Sequence, residues 1–275
     1  MKFSPKREAM QLALLSLAFP DYMKAMSLPG IEIHRVYDEY GPIRVFEEGS
    51  FRYLAFSEDS QQSAVDLSDP GKLVFHYIQA MLLCLLYVPA PKRVTLLGLG
   101  AGSLVQGFRH YDAQLIIDVV ELRPQVKTIA STYFALPDDP LMQITIADAF
   151  VYMEQTHLCS DLILTDIYND DGMNEAQLSP DFLENCFRSL SDSGILVLNL
   201  WDQGKGTHPL ARQALGEVFD GNVLACPVED GNLIVFAFKG GLPQINARHL
   251  QPLARRLSKK LAFPVSERLR AMKSL

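Results

Sequence analysis

The sequence predicts an α/β fold: a mostly parallel sheet covered by helices on both faces, preceded by a small antiparallel β unit. Three observations carry this. From Arg93 onward, short apolar, β-branched runs alternate with segments long enough for crossover helices. Residues 31–67 read instead as strand-length pieces separated by turn residues. The first run of the later zone ends in the glycine-rich turn Gly98-Leu-Gly100-Ala-Gly102.

Taken in order, the chain opens with Lys2, Lys6 and Arg7 before an apolar stretch, Met10 to Phe19, which imitates a signal peptide. That stretch carries Gln11 and Ser16, and no small-x-small cleavage site precedes Pro20, so a short amphipathic helix within an extension over 1–30 is expected. Next, Ile31 to Tyr37, Ile43 to Phe46 and Phe51 to Phe56, broken at Gly41-Pro42 and Gly49, predict a small antiparallel β domain over 31–67. The apolar run from Leu73 to Val88 contains His76 and Gln79 and falls short of the ~20 residues that span a bilayer. It predicts a buried helix over 72–88, stopped before Pro89, and gives no ground for a membrane partner.

Residues 68–240 then form the main domain. Its strand candidates are Val94 to Leu97, Leu115 to Val120, Gln143 to Ile146, Leu162 to Thr165, Ile195 to Leu198 and Leu233 to Phe238. Helices are expected over Ser103 to Tyr111, Arg123 to Phe134 and Ser179 to Leu190. The turn residues Asp230-Gly231-Asn232 join the last two runs, which predicts an antiparallel edge strand. The remainder, 241–275, has eight Lys/Arg against the single acid Glu267, with Leu250, Leu253, Leu257 and Leu261 at helical spacing. It is a basic helical extension whose leucine face either docks on the acidic body or leaves its charges for nucleic acid or an anionic membrane.

A chain of 275 residues that is 48% hydrophobic and 21% charged excludes a disordered or collagen-like protein. Its net charge of −7 disfavours phosphate-backbone binding, so nucleic acid is not an expected partner. Four cysteines without a CxxC pair point to free thiols in a reducing, cytoplasmic compartment. Six histidines without ligand spacing give no metal site.

Ligands of open parallel sheets sit beyond the carboxyl ends of the strands. Gly98, Gly100 and Gly102 allow a tight turn and close approach to a ligand, though glycine turns are also structural. Glu121, ending the second run ahead of Leu122, suits a ribose diol or simply caps a strand. Asp148, followed by Ala149 and Phe150, serves an adenine amine or caps the next helix. Asp166 ends a buried strand where an unpaired charge is costly, and Tyr168, Asn169, Asp170 and Asp171 continue an acidic loop. Trp201, after the fifth run, walls an acceptor site or packs in the core. Ser103 breaks the GxGxxG that a dinucleotide pyrophosphate requires, whereas a nucleoside sulfonium has no phosphates and tolerates an acidic pocket. The constellation therefore favours transfer from a nucleoside sulfonium.

Between about Ile31 and Lys239 the sequence resembles the spermidine synthases and their relatives on the class I AdoMet-dependent methyltransferase fold. The carriers are the Gly41–Phe56 hairpin with Gln62-Ser63, Arg93-Val-Thr-Leu-Leu-Gly-Leu-Gly-Ala-Gly-Ser103, Val119-Val-Glu-Leu122, Ala147-Asp-Ala149, Asp161-Leu-Ile-Leu-Thr-Asp-Ile-Tyr168 and Gly194-Ile-Leu-Val-Leu-Asn-Leu200. The resemblance implies a seven-stranded Rossmann-like sheet, a homodimer, and transfer of an aminopropyl group from decarboxylated AdoMet to putrescine in polyamine biosynthesis. It places Gly98, Gly100, Gly102, Glu121, Leu122, Asp148, Ala149, Gln62 and Tyr77 around the donor. Asp166 becomes the catalytic carboxylate at the attacking amine, with Tyr168 and Asn169 on the acceptor loop. The chain departs from the family's GGGDGG turn at Ala101 and from its DSSDP loop at Asn169 and Asp170. Ala101 removes a negative charge that would repel the carboxylate of intact AdoMet. A methyltransferase using AdoMet is therefore the alternative, and a non-catalytic nucleoside-binding protein the third reading.

Overall fold

The computed structural model describes residues 28–57, 61–169, 172–202, 205–229, 231–243 and 247–275. The helix expected within 1–30 lies outside the described residues. Four strands, β1 (Ile31–Asp38), β2 (Gly41–Glu48), β3 (Phe51–Ala55) and β4 (Gln61–Asp66), pair antiparallel in sequence order. Gly41 and Gly49 take positive φ at the first two turns, which is why these short loops reverse the chain.

The apolar run that follows is only partly α-helical. Helix α1 (His76–Met81) passes into a 3-10 segment, Leu82–Leu86, in place of one helix over 72–88. All five of its residues are buried, so no polar face sets an α period, and the tighter winding lets every side chain enter the core.

The main unit alternates β5 (Arg93–Leu97), α2 (Ser103–Tyr111), β6 (Ile116–Glu121), α3 (Pro124–Tyr133), β7 (Met142–Ile146), α4 (Ala149–Gln155) and β8 (Ser160–Thr165). A two-residue hairpin, β9 (Tyr168–Asn169) and β10 (Gly172–Met173), precedes α5 (Pro180–Ser189), β11 (Leu190–Trp201), α6 (Pro209–Val218), β12 (Val223–Pro227) and β13 (Asn232–Phe238). Helices α7 (Ala247–Leu261) and α8 (Val265–Ala271) and the short β14 (Lys273–Ser274) complete it. The sheet order is β14-β12-β13-β11-β8-β5-β6-β7, with β11, β8, β5, β6 and β7 parallel.

Two expectations need correction. The sheet has eight strands, not seven, because two exposed residues, Lys273 and Ser274, pair with β12. A two-residue polar strand leaves no periodic signal. Nor is β13 an edge strand: β12, absent from the expected runs, hairpins with it and puts it between two partners.

Successive strand residues serve opposite faces, and both faces are covered. Leu96, Leu162, Leu164 and Val197 join the core under α2, α3 and α7. Leu97, Ile163, Leu196 and Leu198 join the one under α4, α5 and α6. That double burial is the physical origin of the near-continuous apolar runs. The leucine stripe of α7 docks on the first core through Leu250, Leu257 and Leu261. Among the described residues no helix is long and apolar enough to cross a membrane, and none of their His, Cys, Asp and Glu side chains cluster as a metal site.

Candidate active site

Strand register sets the site. Leu97 lies opposite Val120 on β6 and Thr165 on β8, Glu121 opposite Ile146, and Leu198 opposite Thr165. The carboxyl ends of five strands therefore form one rim. The chain turns from β5 to β6 and β7 on one side, then returns to β8 on the other, so the crevice opens between β5 and β8.

Gly98 sits there with φ +102°, donating to the Val120 carbonyl (2.9 Å), while Asp166 N–H donates to the Leu97 carbonyl (2.9 Å). A side chain at 98 would enter the Asp166 carbonyl, so only glycine permits the two strand tips to approach this closely. Beyond it, Glu121 is buried, accepting the Leu99 N–H (3.0 Å) on one carboxylate oxygen and the Arg123 N–H (2.8 Å) on the other. Burial pushes its carboxyl above the ordinary range, against the pull of those two N–H groups. Glu121 thus fastens the glycine turn to the tip of β6. On β7's continuation, Ala147 N–H donates to the Glu121 carbonyl (3.0 Å), and Asp148 caps α4 through one carboxylate oxygen, taking the Phe150 (2.8 Å) and Val151 (3.1 Å) N–H groups. Asp148 itself is exposed. Leu122 and Ile146 are exposed at this end, and Ala149 is half-buried.

The small sheet closes the opposite side of the turn. Ser63 on β4 lies 3.1 Å from the Ser103 hydroxyl, which also donates to the Ala64 carbonyl (3.0 Å). Tyr77, at the start of α1, donates to the Gln62 carbonyl (3.0 Å) and reaches the Asp166 carboxylate (3.3 Å). Arg123 forks onto Asp38 (2.7 and 3.0 Å) and onto the Gly41 carbonyl (2.9 Å), tying the β1–β2 turn to the residue after Leu122.

Asp166 is held by neutral side-chain donors. Its other oxygen accepts from the Asn199 amide (2.8 Å). Burial pushes its carboxyl up, and the Asn199 and Tyr77 bonds work against that shift. Tyr168 is half-buried, its phenol pushed up by burial, and its oxygen accepts from Asn232 (3.2 Å). The side chain of Asn169 lies outside the described residues. Trp201, 46% exposed, stands at the end of β11 with its ring against Gly231. Hydrogen bonds and close contacts gather Gln62, Tyr77, Gly98, Glu121 and Asp166 about the glycine turn, with Gly100 against Ser63; a side chain at Gly102 would face Leu136 instead, and Leu122, Asp148 and Ala149 lie at the β6–β7 end.

Asn199, Asn232 and Arg123 were not among the expected site residues. A signal existed for Asn199: an amide inside Ile195 to Leu200 must find partners within the sheet. Asn232 and Arg123 carry no comparable mark, because their partners come from distant elements.

The fold is Rossmann-like, with a glycine turn and three carboxylates, Glu121, Asp148 and Asp166, at the carboxyl rim of its sheet and no GxGxxG phosphate loop. No protein-family model matches the chain. It is 33% identical over 199 residues to the polyamine aminopropyltransferase of Chromobacterium violaceum, covering 72% of this chain and 76% of that one. It is 32% identical over 235 residues to the same-named protein of Neisseria meningitidis serogroup A, covering 84% and 89%. Among solved structures, a probable spermidine synthase from Corynebacterium glutamicum superposes with a TM-score of 0.70 at 20% identity over 85% of this chain and 87% of that one, a likeness of fold. The chain belongs to the polyamine aminopropyltransferase family and is a transferase.

Proposed function

We propose that this enzyme moves the aminopropyl group of decarboxylated AdoMet onto putrescine or a similar small amine, with Glu121 and Asp148 holding the nucleoside and Asp166 serving the acceptor. The observation that carries the reading is the Asp166 carboxylate, desolvated yet held by Asn199 and Tyr77 beside the glycine turn. An aliphatic amine of pKa about 10 arrives protonated at neutral pH, and a carboxylate raised by burial is better matched to take its proton. The freed nitrogen attacks the methylene next to sulfur. A C–N bond forms as the C–S bond breaks, the electron pair stays on sulfur, and methylthioadenosine leaves as a neutral thioether. The chain's own contribution is to place the nitrogen in line and to hold the proton on Asp166.

In this reading, Glu121 grips the ribose with the outward lone pairs of oxygens already fixed by Leu99 and Arg123, and Leu122 and Ala149 flank the purine beside Asp148. Gly98, Gly100, Gly102, Gln62 and Tyr77 line the donor, while Tyr168, Asn169 and Trp201 border the amine. Residues 31–67 are the wall over the donor, 68–240 the transferase domain, and 1–30 and 241–275 extensions of it. The enzyme works as a cytoplasmic homodimer, supported by unpaired Cys84, Cys159, Cys186 and Cys226 and by Ile31, Ile33 and Tyr37 exposed along the edge strand β1.

The test is incubation with putrescine and either decarboxylated or intact AdoMet, followed by mass spectrometry. Methylthioadenosine and spermidine from the decarboxylated donor alone are expected. S-adenosylhomocysteine from intact AdoMet, or no turnover with either, overturns the reading.

A further inference from the structure

A primary amide has two faces that differ only in whether N–H or C=O is presented, and its neighbours decide which. Asn199 is 1% exposed, and its amide is fixed at both ends: the nitrogen donates to Asp166 (2.8 Å) and the oxygen accepts from the Asn232 amide nitrogen (2.8 Å). Asn232 comes from the neighbouring strand, opposite Trp201 and two residues out of register with Asn199. Its nitrogen also donates to the Tyr168 phenol (3.2 Å), so both of its N–H groups face the site. Without Asn232, the buried Asn199 oxygen would lose its donor, and only the bond to Asp166 would still oppose the amide turning over.

We propose that Asn232 is a positioning residue for the transfer: it locks the Asn199 amide with its N–H toward Asp166 and ties that lock to Tyr168 at the acceptor loop. The proposal rests on Asp166 being the group that takes the amine's proton. With the lock in place the carboxylate accepts the Asn199 N–H and shares the single Tyr77 O–H with the Gln62 carbonyl, and both interactions favour its charged form. With the lock gone, the amide can turn its carbonyl to accept from Asp166 once that carboxyl is protonated, which favours the neutral form. Among the described residues, the titratable groups facing Asp166 are the phenols of Tyr77 on α1 and Tyr168 on the loop, both pushed up by burial and neutral in the working range. Asn199 from β11 and Asn232 from β13 do not titrate. Among the described residues of this cluster, Asp166 alone therefore sets an acid limb.

The test uses Asn232→Leu, which keeps the size and adds no charge. The pH profile of kcat/KM for putrescine is compared with the parent, so that the amine's own titration is common to both. The expected result is an upward shift of the acid limb by about one pH unit, a tenfold change in proton affinity. Binding of methylthioadenosine by calorimetry stays within about twofold, which a general loss of structure would not allow. Asn199→Leu shifts the limb as far, and the double variant adds nothing further, as expected of residues acting through one another. If Asn232→Leu fails to bind methylthioadenosine, Asn232→Val is read in the same way. An unmoved limb, or shifts that add in the double variant, overturns the lock. An Asp166→Asn enzyme at full rate overturns instead the role given to Asp166, so the two failures are distinct.

Discussion

Replacing Gly98 by alanine separates what the glycine turn does for the fold from what it does for the reaction. The new Cβ would lie under 3.0 Å from the Asp166 carbonyl oxygen and 3.2 Å from its carbon, and both are main-chain atoms that cannot rotate away. Restoring an ordinary contact needs a displacement of roughly 1 Å between the tips of β5 and β8. The φ of +102° adds conformational strain of about 1–3 kcal/mol for any residue with a side chain. With the lost packing, about 2–4 kcal/mol of stability should go, read as a fall of roughly 5–10 °C in the unfolding midpoint. The kinetic loss should be larger in proportion, because a 1 Å misplacement of a reacting group costs on the order of 100-fold. Gly100→Ala is the internal comparison. Its Cβ meets only Ser63, at 3.5 Å, and φ is +53°, so about 1–2 kcal/mol is expected. Urea unfolding and steady-state aminopropyl transfer on both variants decide the matter. Equal effects from the two, or a Gly98→Ala enzyme within a few-fold of the parent rate, would refute the close approach as the reason for glycine.

Three further outcomes follow from the same geometry. Glu121→Gln should weaken methylthioadenosine binding about tenfold or more, since an amide offers one acceptor oxygen where the carboxylate offers two to backbone N–H groups; calorimetry reads this, with stability changed by only about 1 kcal/mol. Arg123→Ala strips a buried fork from Asp38 and Gly41 and should cost about 2–4 kcal/mol in urea unfolding, part of it recovered in Asp38→Ala/Arg123→Ala, where no carboxylate is left unpaired. Hydrogen bonds from Arg35 and Arg44 hold the Glu32 carboxyl down at about 2, so its stabilising share is present above the unfolded value near 4.5 and is lost as pH falls toward 2; Glu32→Gln should flatten the unfolding midpoint across that window.

The main sheet was legible because burial on both faces leaves no choice of residue along a strand: Leu162, Ile163 and Leu164 are all fully buried and serve alternate cores. Glycine was legible at 98 for a related reason, since a positive φ and a backbone contact admit nothing else. Where one face meets solvent or the segment is short, the signal fades. Strand β12 ends in Cys226-Pro227, and β14 is two polar residues; their pairing is decided by β13 and by where α7 and α8 deliver the chain. The run after Leu73 departs from a single helix for the opposite reason, as apolarity on every side says that a segment is buried but not how tightly it winds.

The carboxylates of the site show the same division at atomic scale. Glu121, Asp148 and Asp166 each end or follow a strand, and sequence position alone puts them on one rim. What distinguishes them is partnership across long separations. Glu121 spends both oxygens on backbone N–H groups, Asp148 spends one on a helix cap, and Asp166 receives only side-chain donors, Tyr77 from 89 residues upstream and Asn199 from 33 downstream. Backbone donors are fixed by the fold, whereas side-chain donors can be turned or removed without unfolding it. The carboxylate held by the adjustable donors is thus the one whose proton affinity the chain can tune. On this ground the proposed chemistry falls to Asp166 and the proposed anchoring to Glu121, although the sequence presents them as equivalent acids at strand ends.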